Sequence, residues 1–258
     1  ARSRWALQSE HAWPKHSTQH VINNPTWPTE WKQFTIMLAH EHWMQSGDTS
    51  LAEKNWAIFL NNTMKPFLNA QQLVDWTGHQ TPSCFKKYCD KKGDLKDNQR
   101  CALCHTDTAT FPAGVGDGGC SCDNPDWNPD YRAGFVFTNV NTVINAFAVK
   151  SMEQLAELGH AIGKTAEATM LSAQAAKTKA AMLELMYSNA TGLWCDGLCS
   201  NTSHTSFHAQ HFPLWLGVTP DAGVKQALGA LKPQGMLGSV CKRNDITESC
   251  IWFSSGSQ

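Results

Sequence analysis

Four groups of side chains in this chain have the types and spacing to do chemistry. In NNPTWPTEW, Glu30 stands between Trp27 and Trp31, with Pro25 and Pro28 fixing the approach of the backbone. In LVDWTGHQ, Asp75 is followed by Trp76, with His79 close behind. Asn139, Asn141 and Asn145 crowd the segment FTNVNTVINAF, and His204, His208 and His211 follow one another in SHTSFHAQHF. Carboxylates can move protons, amides and imidazoles can hold hydroxyls, and large flat indoles suit the apolar face of a hydroxyl-rich ring. The chain has 11 tryptophans, enough to line such a pocket and still fill a core.

Each group also has a plainer reading. An acid at the start of a helix can simply satisfy the free N–H groups of the first turn, so Glu30 is either a helix-start charge or a group facing a ligand. The asparagines can cap turns. The histidines, at i, i+4 and i+7, have the spacing of metal ligands but no carboxylate among them, which favours pocket or packing roles. Trp43 and Trp56 sit at helical spacing among apolar residues and read as core.

These groups need elements to position them. Segment 29–46 reads as a helix apolar on nearly every side, stopped by Gly47, and a capping box of Ser50 and Glu53 then opens an amphipathic helix with Trp56, Phe59, Leu60, Met64 and Phe67 on one stripe. The couplet recurs as an apolar helix from about residue 141 to 162, ended by Gly163, and an Ala-rich partner from Thr165. A third round runs to Gly217, followed by Thr219 as cap, Pro220 at the first helical position and a short helix through Leu231. Such short links force antiparallel neighbours, so the expected fold is all-α: helical hairpins forming part of an (α/α)6 toroid. Because alternate helices then run the same way, the polar clusters at the starts of the apolar helices should meet on one face.

The expected organisation is a first helical couplet over 1–81, a disulfide-rich insertion over 82–132, second and third couplets over 133–240, and an irregular tail over 241–258. The insertion has no helical or strand period; its six cysteines (Cys84, Cys89, Cys101, Cys104, Cys120 and Cys122) would staple it. With Cys195, Cys199, Cys241 and Cys250 the count is ten, an even number that suits disulfides made in an oxidising compartment. The competing reading is a zinc site of Cys84, Cys89, Cys101 and Cys104 with His105 nearby. Asn-x-Ser/Thr triplets at Asn61, Asn189 and Asn201 are candidate glycosylation sites and point toward the same secreted, extracellular setting. No cofactor or resident metal is expected.

Composition narrows the partners. Charged residues are 17% and the formal net charge is −1, so no basic stripe exists for a phosphate backbone, and no nucleic acid is expected. No uncharged apolar run reaches the roughly 18 to 20 residues of a membrane helix. The chain does not open with a charged, then apolar leader, so Ala1 reads as a processed or trimmed beginning.

NNPTWPTEW before a helix and a Gly-Asp turn, VDW after the second helix, FTNVNTVINAF, GLWCDG, SHTSFHAQHFPLWLGVTP and GMLGSV resemble, in that order, the catalytic domain of the alpha-L-rhamnosidase family. The resemblance spans roughly Pro25 to Val240, interrupted by the cysteine-rich insertion. It implies an (α/α)6 barrel and inverting hydrolysis of a terminal deoxy-sugar. It also implies that Trp27, Glu30 and Trp31 line the sugar site, that Asp75 and Trp76 form part of its wall, and that His204 and His208 sit at the opposite rim. Asn141 and Asn145 join the candidate ligand-binding set as the polar mouth of the second apolar helix.

Inversion needs a protonated and an ionised carboxylate about 6.5 to 9.5 Å apart. Glu30 and Asp75 are the candidates. The family's upstream acid lies in an Arg-Glu-Arg pattern; if Arg2-Ser3-Arg4 holds that register, Ser3 stands in its place, and downstream only Asp245 and Glu248 remain. Two functions therefore compete: a glycosidase, or an inactive relative that binds carbohydrate or serves as a structural, assembling glycoprotein. Three couplets supply six helices, half of a twelve-helix ring, so further chain segments or self-association would complete it.

Overall fold

The computed structural model describes residues 29–75, 135, 136 and 138–231, with Thr29 and Trp31 described by their backbone alone. Trp27, Trp76, the cysteine-rich insertion, Ser3, Asp245, Glu248 and the expected domain boundaries lie outside the described residues.

Among the described residues six helices form three hairpins: α1 (Thr29–Ser46) with α2 (Ser50–Asn62), α3 (Thr142–Ala161) with α4 (Thr165–Leu185), and α5 (Phe207–Trp215) with α6 (Asp221–Leu231). The links turn through Gly47, Gly163 and Gly217, whose φ of 73°, 78° and 73° is left-handed backbone that costs glycine little. Helices α1, α3 and α5 lie side by side, and each carries its even-numbered partner, giving the two-layer array expected of hairpins in a toroid. A short antiparallel hairpin, β1 (Tyr187–Ser188) and β2 (Leu193–Trp194), links α4 to α5; it was not foreseen and leaves the all-α class intact.

The first turn of α2 departs from expectation by one residue. The N-cap is Thr49, whose hydroxyl donates to Glu53 at 2.7 Å, while Asp48 accepts from the Ser50 N–H at 2.8 Å. The expected Ser50–Glu53 capping box is not formed: Asp48 satisfies the Ser50 N–H, and Glu53 bonds the Thr49 hydroxyl, a contact between side chains that caps no backbone group. The backbone bond from Ser50 and the side-chain bonds of Ser50 and His42 hold the exposed Asp48 carboxyl below its ordinary value.

Helix α3 is the hub. From Thr142 to Val149 every residue is buried, because α1, α4 and α5 all close on it. One side packs Ile144, Ala148, Met152 and Leu155 against Ile36, Trp56, Phe59 and Leu171; the other packs Val143 and Phe147 against Met182, Trp194 and Leu216. Gly159 makes room for Trp56, since a Cβ there would lie 2.6 Å from the indole Cη2. Helix α1 is less enclosed than its composition suggests: Ile36 and Ala39 are core, but Glu41, Met44 and Gln45 face solvent. The first turn of α3 is wholly enclosed, and so is the start of α5 from Ser206 to Gln210.

Candidate functional site

The first turn of α3 ties three distant segments together. Asn141 is its N-cap, its side chain accepting from the Ile144 N–H at 2.9 Å. One turn on, the Asn145 amide clamps the backbone of Val74: its oxygen accepts the Val74 N–H at 2.7 Å and its nitrogen donates to the Val74 carbonyl at 3.2 Å and to the Asn141 carbonyl at 2.9 Å. Val74 is the residue before Asp75, so the clamp sets where that carboxylate emerges; Asn69 donates to it at 3.2 Å. From α1, Gln33 donates to the Ile144 carbonyl at 3.3 Å, which brings the first turn of α1, with Glu30, to the same place. From the third side, the Thr142 N–H donates to the Asp196 carbonyl at 2.9 Å, and Asn141 forms a β-bridge with Gly197.

Helices α1, α3 and α5 therefore begin at a common end, as expected from their alternation. Asp196 joins two of those beginnings, since its carboxylate also accepts the N–H of Ser206, the N-cap of α5, at 2.8 Å. Glu30 is 6% exposed in the first turn of α1. Backbone N–H groups at helix starts make this end of the molecule electropositive and suited to carboxylates.

The structure separates the two histidines that sequence reading placed together on a rim. His204 is at the surface, with its Nδ1 2.6 Å from Asp196 Oδ2. His208, 3% exposed, lies within the core, edge-on to Phe135 and Phe207. His211 is stacked between Phe207 and Trp215, at 5.4 and 6.5 Å between ring centroids, and burial holds its imidazole below the ordinary value. Among the described residues no three His, Cys, Asp or Glu side chains come together as a metal site.

Asn145 turns out to be committed to main chain through all three of its amide bonds, and Asn141 to capping. Both help to build the site's frame. Asn61, Asn189 and Asn201 are exposed, Asn189 in the turn of the β-hairpin. Of the cysteines, Cys195 and Cys199 are bonded to each other. Sequence reading missed Asp196, although an acid directly before glycine between two cysteines four apart was a usable signal. It also missed Gln210, whose amide clamps Trp194 by accepting its N–H at 2.9 Å and donating to its carbonyl at 2.7 Å.

Paired helices whose inner members begin at one polar end give the hairpin arrangement of an all-α toroid. Residues 115–234 match the bacterial alpha-L-rhamnosidase 6 hairpin glycosidase domain. Two solved structures share the fold. The GH78 family rhamnosidase of Bacillus sp. GL1 superposes with a TM-score of 0.53 at 15% identity, over 80% of this chain and 17% of its own. A rhamnosidase from Klebsiella oxytoca, with rhamnose bound, also gives 0.53, at 10% identity, over 80% of this chain and 31% of its own. The chain thus spans less than a third of either protein's length. No curated protein sequence matches it.

Proposed function

We propose that this chain forms the sugar-holding part of a rhamnosidase-type six-hairpin domain, which takes a terminal deoxy-sugar at the shared mouth of α1, α3 and α5. The observation that carries the reading is the convergence on residues 141–145 of the start of α1, the Val74–Asp75 segment and the loop holding Asp196 and His204. Glu30 and Asp75 are the carboxylates available to such a sugar, one to release the leaving group and one to activate water in an inverting hydrolysis. The exposed positions of Asn61, Asn189 and Asn201 and the Cys195–Cys199 disulfide support a secreted, glycosylated protein.

A second reading, binding without turnover, follows if Arg2-Ser3-Arg4 holds the register of the family's Arg-Glu-Arg acid, since a serine hydroxyl cannot protonate a leaving group as a carboxylic acid does. Titration with rhamnose and incubation with an aryl alpha-L-rhamnoside separate the two readings. Under either, Glu30→Gln and Asp75→Asn should each weaken rhamnose binding about tenfold, the equivalent of roughly 1.4 kcal/mol. Binding indifferent to both changes removes these assignments, and release of the aryl group by the unaltered chain selects the hydrolase.

A further inference from the structure

Asp196 is fully enclosed, and its carboxylate is saturated: Oδ1 accepts from the Ser206 N–H at 2.8 Å, and Oδ2 accepts from the Val136 N–H at 2.7 Å and from His204 at 2.6 Å. A carboxylate already taking two backbone N–H groups acts only as an acceptor, so Nδ1 of His204 carries a proton, and in the neutral ring Nε2 then keeps its lone pair. That second nitrogen has no hydrogen bond to a described residue. The His204 side chain is 31% exposed, while the Asp196 carboxylate that its Nδ1 meets is fully buried.

The loop behind the carboxylate is held on every side. The Cys195–Cys199 disulfide closes it around Asp196. Gly197 is pressed against Thr138, where a Cβ would come within 2.3 Å of the hydroxyl. The Asp196 N–H donates to the His204 carbonyl at 2.9 Å, so the acid and the imidazole it orients are tied through main chain as well.

We propose that Asp196 is a positioning residue: clasped by the disulfide loop between the starts of α3 and α5, it fixes the tautomer and direction of His204 so that Nε2 accepts a hydroxyl hydrogen of the bound sugar. The proposal rests on the sugar-binding reading above, and the test keeps the two apart. Nitrogen-15 shifts of the His204 ring, recorded at mildly alkaline pH where imidazole is neutral, should show the Nδ1–H tautomer. In Asp196→Asn the new amide N–H groups can donate to Nδ1, and the signal should move to the Nε2–H tautomer. His204→Gln leaves Asp196 and its backbone bonds in place, so it should keep the far-ultraviolet dichroism of the parent and bind rhamnose about tenfold more weakly.

An Nε2–H tautomer in the unaltered protein overturns the positioning role, and rhamnose binding undiminished in His204→Gln overturns the ligand contact. If the unaltered protein shows Nδ1–H and binds no rhamnose, the sugar-binding reading and the ligand contact fail together, while orientation of His204 by Asp196 stands on the spectrum.

Discussion

The mouths of α3 and α5 are built alike and serve differently. Each begins with a side-chain cap, Asn141 to Ile144 N–H and Ser206 to Ala209 N–H. Each carries, four residues after the cap, an amide that returns to the cap's own carbonyl and clamps both backbone groups of a remote residue, Asn145 on Val74 and Gln210 on Trp194. At α3 the device is sealed within the hub, so its polar atoms are consumed by structure. At α5 the same device sits beside Asp196 and leaves His204 partly exposed. Amides that look like ligand contacts can thus be internal clamps, and the group left to meet a ligand is the one that the frame holds from behind.

The largest effect should follow from breaking the α3 clamp. Asn145→Ala strands the buried N–H and carbonyl of Val74 and removes three hydrogen bonds, for an expected loss of about 3 kcal/mol in denaturant unfolding. A loss below about 1 kcal/mol would show that water or another group replaces the amide. Gln210→Ala strands Trp194 in the same way, but the two-residue strands beside it can yield more easily, so about 2 kcal/mol is expected. Equal costs for the two variants would erase this difference. The double variant should show the sum to within about 0.5 kcal/mol, because the two clamps share no partner.

Removing the caps is a smaller perturbation: Asn141→Ala and Ser206→Ala should each cost about 1 kcal/mol in thermal or denaturant unfolding. If Ser206→Ala costs much more, the link from its N–H to Asp196 is bearing on stability too. The smallest expected effect is a pH dependence at α5. Burial depresses the folded-state value of His211, so its contribution is full above the unfolded value of 6.5 and is lost as pH falls through the lower folded value. Melting temperature should fall over that acid range, and His211→Phe should flatten the fall; an unchanged slope assigns it to other groups.

Much of the frame was legible in the residues. Gly47, Gly163 and Gly217 ended helices where expected, since a left-handed turn after an apolar run is a local signal, and Trp56 reached the core as its spacing predicted. The capping box expected at Ser50 and Glu53 did not form because Asp48 takes the Ser50 N–H and the Thr49 hydroxyl takes Glu53. The site was less legible. Asn145 and His208 lie in the first turns of α3 and α5, yet enclosure by neighbouring elements makes one a clamp and the other a ring packed edge-on against two phenylalanines. Asp196 went unnoticed because the groups that define it come from Val136, His204 and Ser206, and no local spacing relates all of them.

Taken alone, the sequence determined the hairpins, their order, their turns and the end at which the polar groups would gather, all of which follow from periodicity and backbone sterics within one or two turns of chain. Only the tertiary structure decided which of those polar groups would be used up. Val74 meets Asn145 across 71 residues and Val136 meets Asp196 across 60, and a hydrogen bond between such distant partners depends on packing that no short stretch of chain contains.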